Sequence, residues 1–228
     1  MKKKKTKDIY NEYTILSLTS DIDNIIKISD VFEDELYFLL ILQELKKPDI
    51  SEYLDKNGPL KILNVKKIIF IIANVLKEIH KKSIIHIDIK PDNIMCDFNG
   101  KVYLFDFGLS RLVKDSYGCC SGTIYYISPE IVNNICSDNK NYLGTETDIW
   151  SLGVTMFVML FKEYPFFSDY DSNILSIIKN YDITNHIKFK LLDPNGQDLL
   201  LKCLDKNPKK RIKAADIVNH SWLNENFY

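Results

Sequence analysis

Apolar residues recur at intervals of three and four from Val65 through Ile68, Ile69, Ile72, Val75 and Leu76 to Ile79, which predicts a helix over about 65–80 with one face turned into a core. That face serves packing, not chemistry. Ile84-Ile85 then reads as a short strand leading into a polar loop. Farther on, Asn99-Gly100 separates the apolar run Ile94 to Cys96 from Val102 to Phe105. Asn-Gly between apolar runs signals a two-residue hairpin, because both residues accept positive φ. Such a hairpin sets Asn93 and Asp106 at neighbouring strand ends. From about Thr147 to Leu160 the chain is apolar nearly all round, as expected of a helix buried on every side. The stretch from Ile131 to Tyr142, rich in Asn and Asp, reads as a surface loop.

At 228 residues the chain suits one or two compact units with a sizeable core. A formal net charge of −1 supplies no global field toward nucleic acid or membrane. The only dense basic run, Lys2 to Lys5, is expected to be a solvated, frayed end. No signal peptide stands out, and the apolar stretch around Leu152 to Phe161 is too short to span a bilayer. Five cysteines without metal-ligand spacing fit a reducing compartment, cytoplasm or nucleus. Cys119 and Cys120 are adjacent, and two free thiols are the expected state, with a redox switch as the alternative.

Candidate chemistry concentrates in His86-Ile87-Asp88-Ile89-Lys90-Pro91-Asp92-Asn93 and in Asp106-Phe107-Gly108. Phosphoryl transfer needs an acceptor for a hydroxyl proton, a positive charge beside the migrating group and oxygen ligands for Mg²⁺. Asp88, Lys90, Asn93 and Asp106 are those residue types. Taken singly, Asp88 is also explained as a turn carboxylate, Lys90 as an exposed lysine and Asn93 as a strand-start residue.

Together these motifs resemble the eukaryotic-type protein kinases, and the likeness continues in order along the chain. Gly122-Thr123-Ile124-Tyr125-Tyr126-Ile127-Ser128-Pro129-Glu130 resembles the family's substrate-docking strip, with Ser128 in place of alanine. Asp148-Ile149-Trp150-Ser151-Leu152-Gly153-Val154 resembles the start of its central buried helix. Asn207 to Arg211 and His220-Ser221-Trp222 resemble its last two helices. The resemblance implies an α+β, protein-kinase-like fold: a mainly helical large lobe over residues 46–228 and a truncated two-stranded small-lobe remnant over 1–45. It also implies a Ser/Thr protein kinase using ATP and Mg²⁺ on a protein substrate. Asp88 would be the catalytic base or hydroxyl orienter, Lys90 would steady the transferred phosphoryl, and Thr123 would bond across to that pair. Asn93 and Asp106 would hold the metal, Gly108 would allow the backbone turn behind Asp106, and Met95 would floor the adenine beside a hinge near Glu44 to Asp49. Four residues take structural roles by the same likeness. His86 stacks near Phe107, Glu130 pairs with Arg211, and Asp148 bonds the backbone of the catalytic loop.

Several positions depart from the family pattern. No G-x-G-x-x-G loop occurs among the eight glycines, and no strand lysine is found for the glutamate expected at Glu12 in the helix around Asn11 to Leu16. By the same likeness Met1 falls near that helix start, after the place of three strands. Ile87 stands where the family has arginine, which removes the grip on an activation-loop phosphate. Phe105 is bulky at a position beside the nucleotide. A strand from Leu36 to Leu42 paired with one near Ile25 to Phe32 leaves an open apolar edge, to be covered by a partner or by the rest of a longer product. Two readings result: a Ser/Thr kinase in N-terminally truncated form, or a catalytically impaired pseudokinase acting as an interaction scaffold.

Overall fold

The computed structural model describes residues 2–35, 37–46, 48–97, 101–168 and 171–223. Helix α1, Lys2–Leu18, is the first element. The lysine run Lys2 to Lys5 forms its first turn. Ile15 and Leu16 are the buried positions of its last turns. Strands β1 (Ile28–Glu33) and β2 (Phe38–Leu42) pair antiparallel, with Glu33 opposite Phe38 and Ile28 opposite Leu42. Exposure alternates along β2, as a half-buried strand requires, whereas β1 is interrupted by a register shift between Ile28 and Asp30 and does not alternate. Ile28, Leu40 and Leu42 pack on the core, whereas Phe32, Leu39 and Ile41 remain exposed. Phe38 also lies against the rings of Tyr10 and Tyr13 on α1, at centroid distances of 4.2 and 5.7 Å.

The remainder is mainly helical. Helix α2, Ile50–Asn57, begins where the Asp49 carboxylate accepts the Glu52 N–H at 2.7 Å. Helix α3, Ile62–Lys81, extends the expected element by a turn at its start and buries every apolar position that the spacing marked. Among the described residues three short antiparallel pairs form: β1 with β2, β3 (Ile84–Ile85) with β6 (Arg111–Leu112), and β4 (Ile94–Cys96) with β5 (Val102–Leu104). The Asn99-Gly100 turn expected between β4 and β5 lies outside the described residues. Hydrogen bonds from Ile26 N–H to the Leu104 carbonyl (3.1 Å) and from Leu104 N–H to the Asn24 carbonyl (2.8 Å) tie the β1–β2 region to β5.

Helices α4 (Pro129–Cys136), α5 (Glu146–Phe161), α6 (Asp171–Asn180), α7 (Pro194–Cys203) and α8 (Ala214–Val218) complete the fold. Every residue of α5 from Thr147 to Met159 is buried, as its unbroken apolar run implies. Gly153 lets α7 approach: a Cβ there would stand 2.8 Å from the Cβ of Cys203 and 3.0 Å from a methyl of Leu204. Gly153→Ala should therefore cost about 1–3 kcal/mol through overpacking, read as a lower urea midpoint at unchanged slope.

Two expectations fail here. The stretch from Ile131 to Tyr142 is not all loop, because α4 runs to Cys136 with Ile131, Val132 and Asn134 buried. Its Asn-rich composition hid the helical spacing of Ile131, Val132 and Ile135. The buried Asn134 is itself structural: its amide donates to the carbonyls of Cys119 (3.2 Å) and Asn141 (3.0 Å) and accepts from Asn141 N–H (2.9 Å). Nor are Asn207–Arg211 and His220–Trp222 in α-helices. The first is a turn in which the Asn207 carbonyl accepts from Lys210 and Arg211 N–H, and the second enters a single 3₁₀ turn, Ser221–Leu223. Pro208 cannot donate to a helical ladder, which favours the turn.

Candidate active site

The chain leaves β3 through His86 and Ile87, whose N–H groups donate to the two carboxylate oxygens of Asp148, at 2.9 Å and 2.8 Å. Asp148 is fully buried in the first turn of α5. This anchor holds Ile87 at φ 74°, a conformation that costs a β-branched residue energy and persists only where the surroundings fix it. Ile87, where the family has an arginine, is buried among apolar neighbours. The His86 ring sits edge-on to Phe107 at 4.7 Å, and burial holds its pKa below the usual histidine value.

Past this bend Asp88, Lys90 and Thr123 close a triangle. The Lys90 ammonium lies 2.9 Å from the Asp88 carboxylate and donates to the Thr123 hydroxyl at 2.7 Å, and that hydroxyl donates to Asp88 at 2.7 Å. Thr123 N–H adds a further bond to the same carboxylate oxygen at 3.2 Å. Burial opposes ionisation of Asp88, but the bonds from Lys90, Thr123 and Asn93 outweigh it and hold the carboxyl below its ordinary range. Its contribution to stability is thus present above the unfolded pKa and lost as pH falls through the depressed folded value.

A 3₁₀ turn, Pro91–Asn93, carries Asn93 to the start of β4. Its amide nitrogen donates to the Asp88 carbonyl at 2.8 Å and to the carboxylate at 3.0 Å, which leaves the amide oxygen as the group not engaged with Asp88. Across the hairpin, Phe105 N–H donates to the Asn93 carbonyl at 3.1 Å, so the two strand ends meet as the pattern implied. Asp106 follows with an exposed side chain.

The backbone turn here differs from expectation. Asp106 itself takes the positive φ of 60°, while Gly108 does not. Gly108 is small for a different reason: a Cβ there would lie 3.2 Å from the Asp106 carboxylate, which accepts the Gly108 N–H at 3.3 Å. Glu12 of α1 reaches the same turn and accepts the Phe107 N–H. Burial, and then the charge of Asp106, push its pKa up. Asn11 beside it donates to the Ser110 carbonyl at 2.7 Å.

Oxygen donors from Asn93 and Asp106 suit Mg²⁺, which is commonly held by one or two carboxylates with phosphate oxygens and water completing six positions. Among the described residues no three His, Cys, Asp or Glu side chains gather into a self-sufficient metal site. The donor set therefore fits a cation that arrives with a polyphosphate. Met95 is half-buried and, with Gln43–Lys46 and Tyr103, lines a cleft of about 230 Å³. An antiparallel bridge joins it to Asp49. Phe105 is only partly exposed, its ring packed on the core.

The structural pairs also form. Arg211 and Glu130 meet at 2.6 Å. Two contributors escaped the sequence reading. His80, at the end of α3, bonds Asp148 at 2.8 Å, and Asn11 pins α1 to the segment after Gly108. The place of His80 on the helix carried a signal only of partial burial, since its partner lies 68 residues away. Cys119 is buried and Cys120 exposed, and both are free. No helix among the described residues is long and apolar enough to cross a membrane.

Known proteins resemble this chain over most of its length. The family described as "Protein kinase domain" matches residues 1–223. Calcium-dependent protein kinase 27 of Arabidopsis thaliana is 30% identical over 96% of this chain and 46% of its own length. The Aurora kinase of Saccharomyces cerevisiae is 34% identical over 89% of this chain and 53% of its own. The Aurora kinase of Dictyostelium discoideum is 32% identical, with 88% and 50% covered. The chain thus spans about half the length of these curated relatives. It belongs to the eukaryotic-type protein kinase family, and these relatives lie in its serine/threonine branch.

Proposed function

We propose that the chain transfers the γ-phosphoryl group of Mg²⁺-bound ATP to a serine or threonine hydroxyl of a protein. The triangle of Asp88, Lys90 and Thr123 carries this reading, because a scaffold has no chemical need for a buried carboxylate poised against an ammonium and a hydroxyl. In it Asp88 orients the substrate hydroxyl and takes its proton, while Lys90 sets positive charge beside the migrating group. Thr123 keeps both side chains in register. Asn93 and Asp106 would hold Mg²⁺, which supplies charge neutralisation on the phosphate oxygens. Met95 and the Gln43–Lys46 segment offer the half-apolar wall for a base. The exposed Phe32, Leu39 and Ile41 support a partner covering the β1–β2 face.

A second reading, a pseudokinase scaffold, is favoured by Glu12. No lysine lies within ion-pair distance of its carboxylate among the described residues, and the sequence holds no G-x-G-x-x-G loop. Radiolabelled ATP with a Ser/Thr peptide library separates the two. The kinase reading expects Mg²⁺-dependent label transfer that EDTA stops and Asp106→Asn reduces to background. Absence of transfer by the wild-type chain supports the scaffold, and transfer that survives in Asp106→Asn refutes the metal role.

A further inference from the structure

We propose that the β1–β2 hairpin docks an extended segment of a partner protein in which apolar residues alternate with lysine or arginine, the segment adding as a third strand along the free edge of β2. The inference gives a chemistry to the partner proposed above for this face, and docking does not depend on phosphoryl transfer.

The backbone supplies the first half of the argument. Among the described residues β2 pairs with β1 alone, so its other edge presents unpaired N–H and C=O groups. Edges of this kind are normally blunted by charge, proline or a bulge. On β1 the register shifts between Ile28 and Asp30, and two carboxylates lie within the strand, so that edge is poorly suited to a further ladder. β2 reads Phe38-Leu39-Leu40-Ile41-Leu42, regular and wholly apolar, with none of these guards. Phe38 faces Tyr10 and Tyr13 of α1, so the alternation of the strand turns Leu39 and Ile41 the other way. There Leu39 stands opposite Phe32 and Ile41 opposite Asp30, and the three apolar side chains remain 44–56% exposed. An added strand extends this surface and covers it with its own side chains.

Charge selects the occupant. Between Ile28 and Leu42 the chain holds Asp30, Glu33, Asp34 and Glu35 but no lysine, arginine or histidine, although the whole chain is balanced to −1. Asp30 accepts the Val31 N–H and Glu33 accepts the Tyr10 hydroxyl, both neutral donors, so neither charge is cancelled. The flanking cations are engaged elsewhere: Lys27 donates to the carbonyls of Ser20 and Ile22, and Lys46 lies 3.7 Å from Glu44. An apolar face with an acidic rim therefore favours an apolar strand carrying cations. A second copy pairing through β2 would bring two acidic rims together, which disfavours it as the occupant.

The test titrates the ¹⁵N-labelled chain with an N-acetylated heptapeptide alternating valine and lysine. Amide resonances of Phe38 to Leu42 should shift along one saturation curve, and added salt should weaken the binding. Three control peptides should each bind at least about tenfold more weakly: the same residues in block order, glutamate in place of lysine, and N-methylation of alternate amides. Leu39→Asp, at an exposed position, should weaken binding by about tenfold. Asp30→Asn, which keeps an acceptor for the Val31 N–H, should weaken it about threefold. Asp106→Asn should bind the peptide as wild type does, so that loss of docking and loss of phosphoryl transfer are read apart. Shifts centred away from the hairpin, equal binding of any control peptide, equal binding by Leu39→Asp, or indifference to salt would each overturn the proposal. A dimer in sedimentation equilibrium, with the same amides shifting as the chain is concentrated without peptide, would assign the edge to a second copy and overturn it as well.

Discussion

Asp88→Asn should lower kcat by about 10²–10⁴-fold, the range for a positioned proton acceptor, while leaving the KM for ATP within a few-fold of wild type. The substitution is nearly isosteric, so the Thr123 hydroxyl and N–H can still find an oxygen where the carboxylate offers one at 2.7 and 3.2 Å. The other carboxylate oxygen accepts from Asn93 at 3.0 Å and faces Lys90 at 2.9 Å. An amide nitrogen there sets three donors together with no acceptor, and Lys90 is released from its position. Asn93 keeps its second bond, to the Asp88 backbone carbonyl at 2.8 Å, so the proposed metal ligand stays in place. Loss of kcat without loss of nucleotide affinity separates a role in chemistry from one in binding. A residual kcat within tenfold of wild type would rule out Asp88 as the proton acceptor.

Arg211→Ala should destabilise the fold by about 3–5 kcal/mol, the cost of stranding one partner of a buried ion pair. The Arg211 side chain is fully buried and that of Glu130 is 15% exposed. Its two terminal nitrogens donate to the two oxygens of Glu130, at 2.6 and 3.1 Å, a forked geometry that lysine cannot reproduce. The same guanidinium donates to the carbonyls of Glu146 (2.7 Å) and Asp205 (3.1 Å), and Thr147 donates its hydroxyl to Glu130 at 3.1 Å. One side chain thereby joins α4, the first turn of α5 and the turn after α7. Urea unfolding of Arg211→Ala, Glu130→Gln and the double variant forms a cycle in which the double should lose less than the sum of the singles. Additive losses, or a loss below about 1 kcal/mol for Arg211→Ala, would contradict the buried pair.

The strength of local signals explains what could be read beforehand. Periodicity located α3 and α5 because burial of one stripe, or of every side, imposes a repeat that the chain displays without help from distant residues. Asn93 and Asp106 were placed together by the hairpin between them, a local device. Helix α4 is hard to read because Asn-rich composition masks the spacing of Ile131, Val132 and Ile135, and Asn134 is buried for bonds that no pattern announces. The motif points to Gly108 as the residue that allows the turn behind Asp106, yet the positive φ falls on Asp106 itself and the glycine serves close approach.

By itself the sequence determined the chemical inventory and its order: a carboxylate, an ammonium and a carboxamide within six residues, a second carboxylate thirteen residues beyond Asn93, and amphipathic or wholly apolar helices to carry them. These are properties of residue type and spacing, which chain connectivity fixes. Only the tertiary structure decided that Asp148 would also hold His80, that Asn11 would pin α1 to the Ser110 carbonyl, and that Glu12 would lie against the Asp106 turn. Those arrangements arise from packing between segments far apart in the chain, where burial makes most polar groups find a partner and no local repeat records which one it finds.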